Sequence, residues 1–296
     1  MRICRPHKSI LISIFSIWPA FTTKHTRVLN EIKIKLKAAM TSVIKAITFD
    51  LDDTLWPLKP TLIRAETECY QWLQKNAKAL TDKFSLADIG DYRFKLFSSS
   101  AAFKNQISQL RIETIKTMAI ESGYSDEDAT ALSAEAFEVH YELRQQVNCY
   151  DGVESMLETL QKDFILGSIS NGNADVKQTS IGRFFSFALS AEQLNISKPQ
   201  AGIFTAALAR INGHLDSAII ASQVVHIGDD FHCDVVGAKR AGFKAIWLTK
   251  DQQQDNASTP YLATEDIEAA KHYSADAVIS TPAAIVSTVN ALQALN

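Results

Sequence analysis

The sequence predicts an α/β fold: a parallel sheet covered by helices on both faces, with an all-α segment inserted near its start. Three observations predict it. Short apolar, β-branched-rich runs recur along residues 43–280. Amphipathic helical patterns separate most of them. One interval, from Asp50 to Ser170, is roughly four times the length of a βαβ unit of ~30 residues, and its excess is helical in pattern.

The first run, VIKAITF at 43–49, ends on a cluster of carboxylates and reads as a buried strand. Later strands are expected at FILGSIS (164–170), QVVHIG (223–228), FKAIWLT (243–249) and ADAVIS (275–280). Apolar spacings of three and four mark helices at VESMLETLQ (153–161), AGIFTAALARI (201–211), CDVVGAKRAG (233–242) and AAIVSTVNALQAL (283–295). Strands that alternate with helices imply parallel pairing, with the connections packed on the sheet faces.

Within the long interval, LIRAETECYQWLQKNA, ISQLRIETIKTMAIES and DEDATALSAEAFEVHYELRQQ each carry one apolar stripe. Ser125, followed by Glu127 and Asp128, suits a capped helix start. Asp151-Gly152 marks the return to the sheet. The expected organisation is a catalytic core of residues 40–59 and 149–296, interrupted by a helical domain at 60–148.

The 296 residues are 46% hydrophobic and 21% charged, an ordinary globular balance. The net charge of −3 argues against a nucleic-acid binder driven by bulk charge. That charge is unevenly spread. Residues 1–39 carry eight bases and one acid, a net of +7, and the rest carry 22 bases and 32 acids, a net of −10. In the basic head, the apolar run Ile10 to Phe21 is shorter than the ~20 residues that span a bilayer. Trp18 also stands where signal cleavage wants a small residue. The head is expected to be a basic extension, non-native or disordered, because the first core strand begins just after Met40. A targeting or membrane-surface segment is the other reading, so no firm membrane partner is assigned. Cys4, Cys69, Cys149 and Cys233 are widely spaced and form no CxxC pair, which fits neither a disulfide framework nor a zinc site. A reducing, cytoplasmic setting is expected. The sequence is silent on oligomeric state.

Ligands of open α/β sheets bind at the carboxyl ends of the strands. The ends here carry Asp50-Leu51-Asp52-Asp53-Thr54, then Ser170-Asn171-Gly172-Asn173, then Lys198-Pro199, and finally Gly228-Asp229-Asp230 with Asp234 one turn beyond. Gathered carboxylates need a counter-charge, and all-oxygen ligation favours Mg²⁺. A hard cation beside a carboxylate nucleophile and a lysine is machinery for phosphoryl transfer.

The ordered motifs FDLDDTLW, SISNGN, SKPQAGIF and HIGDDFHCDVVGAKRAG resemble those of the haloacid dehalogenase (HAD) superfamily over about residues 42–282. The chain is similar to its subfamily I phosphatases, which carry a C1 helical cap. It looks most like the bacterial phosphatases acting on FMN and on the ribitylaminouracil phosphate of riboflavin synthesis. The resemblance implies a Rossmann-like core and hydrolysis of a small phosphomonoester through an aspartyl-phosphate, with Mg²⁺ as cofactor. FMN, a riboflavin-pathway intermediate, a sugar phosphate and a nucleotide are the substrates considered.

It also implies roles. Asp50 would be nucleophile and metal ligand, and Asp52 the general acid, its backbone carbonyl also on the metal. Ser170 and Asn171 would hold phosphate oxygens, and Lys198 would offset charge on the phosphoryl group. Asp229 would complete the metal site, with Thr54, Asp230 and Asp234 supporting. A halide leaves without protonation, so an acid at Asp52 favours ester chemistry over dehalogenation. A phosphomutase, a haloacid dehalogenase and a non-catalytic binding protein on the same scaffold are the rival readings.

Other residues receive plainer expectations. Asp53 reads as a turn cap and His226 as a satisfied core histidine. His232 and Cys233 read as helix-entry residues, and Trp56 either faces substrate or packs under the inserted helices. Lys59, Arg64, Arg93 and Lys95 read as solvated surface, as do the charged stripes of the inserted helices.

Overall fold

The central strand β1 (Ala46–Phe49) is buried along its whole length, as a strand flanked on both edges and covered on both faces must be. It pairs in parallel with β2 (Ile165–Ser170) on one side and β4 (Val224–Gly228) on the other. β3 (Phe187–Ser190), β5 (Lys244–Leu248) and β6 (Ala277–Ile279) complete a six-stranded parallel sheet of order β3-β2-β1-β4-β5-β6. The computed structural model describes residues 43–249 and 272–294. The basic head expected at 1–39 lies outside the described residues.

The expected strands all form; the first three lose residues only at their start and the last two at both ends. β3 is an addition. It is four residues long and alternates buried and half-buried positions, so it offers no apolar run to read. Its ring at Phe187 lies over Gly167 of β2. A Cβ at Gly167 would fall 2.1 Å from that ring, so the strand interior tolerates glycine because the neighbouring side chain occupies the space.

Between β1 and β2 the chain builds α1 (Leu58–Asn76), α2 (Lys78–Lys83), α3 (Leu86–Ser99), α4 (Ile107–Glu121) and α5 (Asp126–Arg144), then α6 (Val153–Leu160). The Ser125 hydroxyl accepts from the Asp128 N–H at 3.1 Å, giving α5 the start its sequence indicated. Two of these helices, α2 and α3, have no counterpart among the expected stripes. After β3 come the short α7 (Ala191–Leu194) and α8 (Ala201–Asn212). A wide π-type turn at Phe231–Val236 follows β4 and leads into α9 (Gly237–Arg240). The last element among the described residues is α10 (Ile285–Ala294).

Three apolar clusters organise the compact unit Ile44–Leu295. On one sheet face Ile47, Phe49 and Val225 pack with Leu157 of α6 and Val289 of α10. On the other, Ala46 and Ile169 pack with Phe204 and Ala207 of α8 and with Phe243. The third lies wholly within the inserted helices, where Leu73, Leu80, Met118, Ala129 and Ala136 meet. Each fully buried leucine- or methionine-sized side chain contributes about 1.5–3 kcal/mol, so the inserted helices hold together on a core of their own. Among the described residues, no helix is long and apolar enough to cross a membrane.

Candidate active site

The strand order places the site. β2 and β3 lie to one side of β1 and β4, β5 and β6 to the other, so the sheet changes direction between β1 and β4. Loops leaving those two strands diverge and open a crevice at their carboxyl ends. Asp50 follows β1 directly, and its N–H still bonds to Ile227 O at 2.8 Å, so the nearby backbone is fixed by the sheet. Asp229 follows β4, Ser170 ends β2, and Lys198 stands in the link to α8.

Lys198 is the hub. Its Nζ donates to Asp50 Oδ1 at 2.5 Å and to Asp234 Oδ1 at 2.6 Å. Its backbone is clamped by one side chain: the Asn171 carboxamide accepts from Lys198 N–H at 2.8 Å and donates to Lys198 O at 3.0 Å. Burial alone would lower the Lys198 pKa, but the carboxylates of Asp234 and Asp50 raise it well above the ordinary lysine value. The two carboxylates thus favour the charged ammonium.

Asp234 is 2% exposed, and its oxygens are already engaged. Oδ1 receives Lys198 and stands 3.0 Å from His226 Nε2, while Oδ2 accepts from Asp230 N–H at 3.0 Å. Burial opposes its ionisation, but Lys198 and His226 hold its carboxyl well below the usual range. His226 lies 2.9 Å from Thr48 Oγ1 through Nδ1, so it is the satisfied core histidine the sequence suggested. Burial depresses its pKa.

The cation question rests on Asp50, Asp229 and Asp234, which each offer an oxygen within 4.8 Å of the others. Burial raises the Asp50 pKa well above the ordinary range. Lys198 lowers it in part, while Asp234 and Asp229 raise it further. The crevice thus holds more negative charge than one lysine offsets, a set of oxygens suited to a hard divalent cation. Thr54 braces this set by donating to Asp229 Oδ1 at 3.0 Å, and Trp247 Nε1 donates to Asp229 O at 2.9 Å. Asp230 caps the following turn, accepting from Cys233 N–H at 2.7 Å.

Asp52 is held elsewhere. Trp56 Nε1 donates to Oδ1 at 2.8 Å, and Arg144 Nη2 reaches Oδ1 at 2.6 Å and Oδ2 at 2.5 Å. Trp56 is fully buried. Asp53 adopts a left-handed backbone (φ 62°), and its Oδ1 accepts from Leu58 N–H at 3.1 Å, capping the entry to α1. Ser170 Oγ accepts from Gly172 N–H at 3.0 Å.

Three expectations are corrected by the structure. Arg144, on a helix whose charges read as solvated, is 1% exposed and reaches Asp52. A basic residue in a helix's last turn ordinarily complements the helix dipole, so nothing local marked it. Arg93 is not solvated surface: with Arg111 it binds Glu66 Oε1, at 2.8 and 2.6 Å, inside the helical segment. Arg64 likewise turns inward, onto the carbonyls of Leu143 and Gln146. Lys59 and Lys95 are exposed as expected. Cys233 enters the helix as expected, and burial foremost pushes its thiol pKa up, the opposite of an activated nucleophile.

Comparison with known proteins places this geometry in context. The chain is 29% identical over 224 residues to the 5-amino-6-(5-phospho-D-ribitylamino)uracil phosphatase YigB of Escherichia coli, covering 74% of this chain and 91% of that protein. It is 23% identical over 221 residues to the glyceraldehyde 3-phosphate phosphatase of Methanopyrus kandleri, covering 72% and 87% respectively. The crystal structure of a 2-haloacid dehalogenase from Pseudomonas syringae matches with a TM-score of 0.70 at 34% identity, over 84% of this chain and 99% of that one. The crevice residues from Asp50 to Asp234 all lie within residues 44–242, which match the haloacid dehalogenase-like hydrolase family, and the chain belongs to that family.

Proposed function

We propose that the chain is a Mg²⁺-dependent phosphatase that hydrolyses a small phosphomonoester through an aspartyl-phosphate on Asp50. The observation that carries this reading is the pairing of two carboxylates in different settings. Asp50 is held against Lys198, and Asp52 is held apart from the cation cluster by Trp56 and Arg144. One carboxylate suits attack on phosphorus and the other suits proton transfer.

In this reading Asp50 attacks phosphorus, and the bond from phosphorus to the alcohol oxygen breaks. Asp52 gives its proton to the departing alkoxide. Asp52, now ionised, takes a proton from water as that water attacks the aspartyl-phosphate. Inorganic phosphate leaves and Asp50 is regenerated. Lys198 offsets charge on the phosphoryl oxygens, which Ser170 and the main chain at Asn171 also hold. Asp50, Asp229 and the backbone carbonyl of Asp52 would hold Mg²⁺. The ion supplies charge neutralisation that lets an anionic carboxylate approach an anionic ester.

Residues 60–148 act as a C1 cap over the core of 40–59 and 149–296, excluding water during transfer. Contacts from these helices to the core support this. Asn173 Nδ2 donates to Ser108 Oγ at 3.3 Å, and Ser108 Oγ donates to Glu192 Oε2 at 2.8 Å. FMN or another phosphorylated riboflavin-pathway intermediate is the preferred substrate, supported by the likeness to YigB. Sugar phosphates and nucleotides stand close behind. The wide spacing of the cysteines supports a cytoplasmic setting.

A dehalogenase is the second reading, favoured by the likeness to the Pseudomonas syringae enzyme. Asp52 weighs against it, since halide departure needs no acid. The two are separated by measuring phosphate release from a phosphorylated-metabolite panel that includes FMN, and halide release from 2-chloropropionate. The proposal expects phosphate release that EDTA abolishes and Mg²⁺ restores, and that Asp50→Asn eliminates. Halide release without phosphatase activity, or an active Asp50→Asn variant, overturns it.

A further inference from the structure

We propose that Arg144 is a positioning residue for the acid–base carboxylate of Asp52, so that the inserted helices govern proton delivery to the leaving group. The inference rests on the role given to Asp52 above.

Asp52 leaves the end of β1 on a loop, where no sheet ladder fixes its side chain. Its carboxylate is oriented by two donors only among the described residues. Trp56, four residues on in the same loop, holds Oδ1 at 2.8 Å. Arg144 comes from the far end of α5 and bridges both oxygens with one nitrogen, at 2.6 and 2.5 Å. Trp56 alone would leave the carboxyl plane free to turn about the pinned oxygen. The second hold, on Oδ2, fixes the plane.

That second oxygen faces the turn that follows β2. A Cβ on residue 172, which is Gly172, would stand 2.8 Å from Asp52 Oδ2 and 3.4 Å from Ser170 Oγ. The turn after β2 comes this close to the acid's Oδ2, and to Arg144 Nη2 at 3.7 Å from the same Cβ position, because residue 172 carries no side chain. Oδ2, which Arg144 alone holds among the described residues, is the oxygen assigned to deliver the proton to the leaving group.

Arg144 is not built like a structural ion pair. It is 1% exposed, yet its Nε and Nη1 have no protein acceptor. A buried donor left without a partner costs about 1–3 kcal/mol, so buried polar groups normally find one. Two such donors on the guanidinium that holds the acid point to an acceptor brought by the substrate, such as a hydroxyl oxygen on its alcohol portion. A purely structural buried pair is often replaceable by apolar residues at little cost, which makes the two roles separable.

The test uses the full chain and two esters of opposite leaving-group quality, p-nitrophenyl phosphate and glycerol 1-phosphate. A nitrophenolate departs without help, whereas an alkoxide needs the proton. Asp52→Asn should lose far more kcat on the alkyl ester than on the aryl ester. Arg144→Met should show the same bias, its loss on the alkyl ester exceeding that on the aryl ester by about tenfold or more. The double variant should be no slower than Asp52→Asn alone, and Arg144→Lys should recover part of the alkyl rate. Equal losses on both esters, a change in KM alone, or losses that multiply in the double variant would overturn the inference. Should Arg144→Met not fold, Arg144→Gln and Arg144→Lys are judged by the same leaving-group ratio. The underlying reading fails differently: Asp52→Asn would then show no leaving-group bias, whatever Arg144 does.

Discussion

Lys198 Nζ lies 2.6 Å from Asp234 Oδ1, and His226 Nε2 stands 3.0 Å from the same oxygen. One buried carboxylate thus fixes the lysine that faces Asp50. Asp234→Asn keeps the shape and removes the charge. Lys198 then retains Asp50 as its single anionic partner and loses its tether. Removing one partner of a buried pair costs about 3–5 kcal/mol, and the displaced ammonium should cost kcat more than KM, by ~100-fold. Urea unfolding and steady-state kinetics check this together. Unchanged kcat would show that Asp234 does not position Lys198.

Gly228, the last residue of β4, makes that carboxylate's place possible. A Cβ there would fall 2.2 Å from Asp234 Cγ, closer than any real contact. Gly228→Ala must therefore push Asp234 away from Lys198, and the strain should destabilise the protein by about 1–3 kcal/mol while lowering kcat. Gly90, inside α3, supplies the contrast: a Cβ there would have nothing within 4 Å. Gly90→Ala should leave kcat unchanged and stabilise by up to ~1 kcal/mol, because glycine weakens a helix interior. Equal thermal shifts for the two variants would refute the steric account.

The contrast between Lys198 and Arg144 shows what the sequence carries and what it does not. Asp50 and Asp229 were legible because each sits just beyond a recognisable strand end, where chain direction dictates convergence, whereas Lys198, in the link before α8, was picked out by its motif SKPQAGIF. The strands themselves announced their burial through short runs rich in apolar and β-branched residues such as AITF. β3 lacked that signal, since an edge strand buried on alternate residues needs only Phe187 and Leu189 inside. α3 buries only Ile89, too thin a stripe for periodicity to reveal. Arg144 depends on how α5 meets the loop after β1, a tertiary relationship that no local pattern encodes. The Glu66, Arg93 and Arg111 cluster was hidden for the same reason, its members coming from three helices.

That cluster should set the acid stability of the protein. Burial alone would raise the Glu66 pKa, but Arg111 and Arg93 hold it down to about 2 from the ordinary 4.5. His140, 3.9 Å from Glu66 Oε1, is pushed down to about 3 from 6.5, by burial first and then by Arg111. Both groups are depressed in the folded state, so both contribute stability at high pH that is lost on acidification. The unfolded chain takes up a proton at His140 as pH falls through 6.5, while the folded chain resists until near 3. Glu66 repeats this between 4.5 and about 2. Each group, within its window, should cost up to about 1.4 kcal/mol per pH unit. His140 therefore acts alone of the two between pH 6.5 and 4.5, and both act together below. Urea midpoints at pH 7.5, 6, 5 and 4 read the effect. His140→Leu should remove the upper part of the loss, so that its stability relative to the native sequence rises steadily from pH 6.5 downward. Glu66→Gln should lower stability at pH 7.5 and flatten its decline below 4.5, because the two guanidiniums then lose their shared anion at every pH. Parallel pH profiles for the native sequence and His140→Leu would mean that His140 takes up its proton as readily in the folded as in the unfolded chain, and would refute its depression inside these helices.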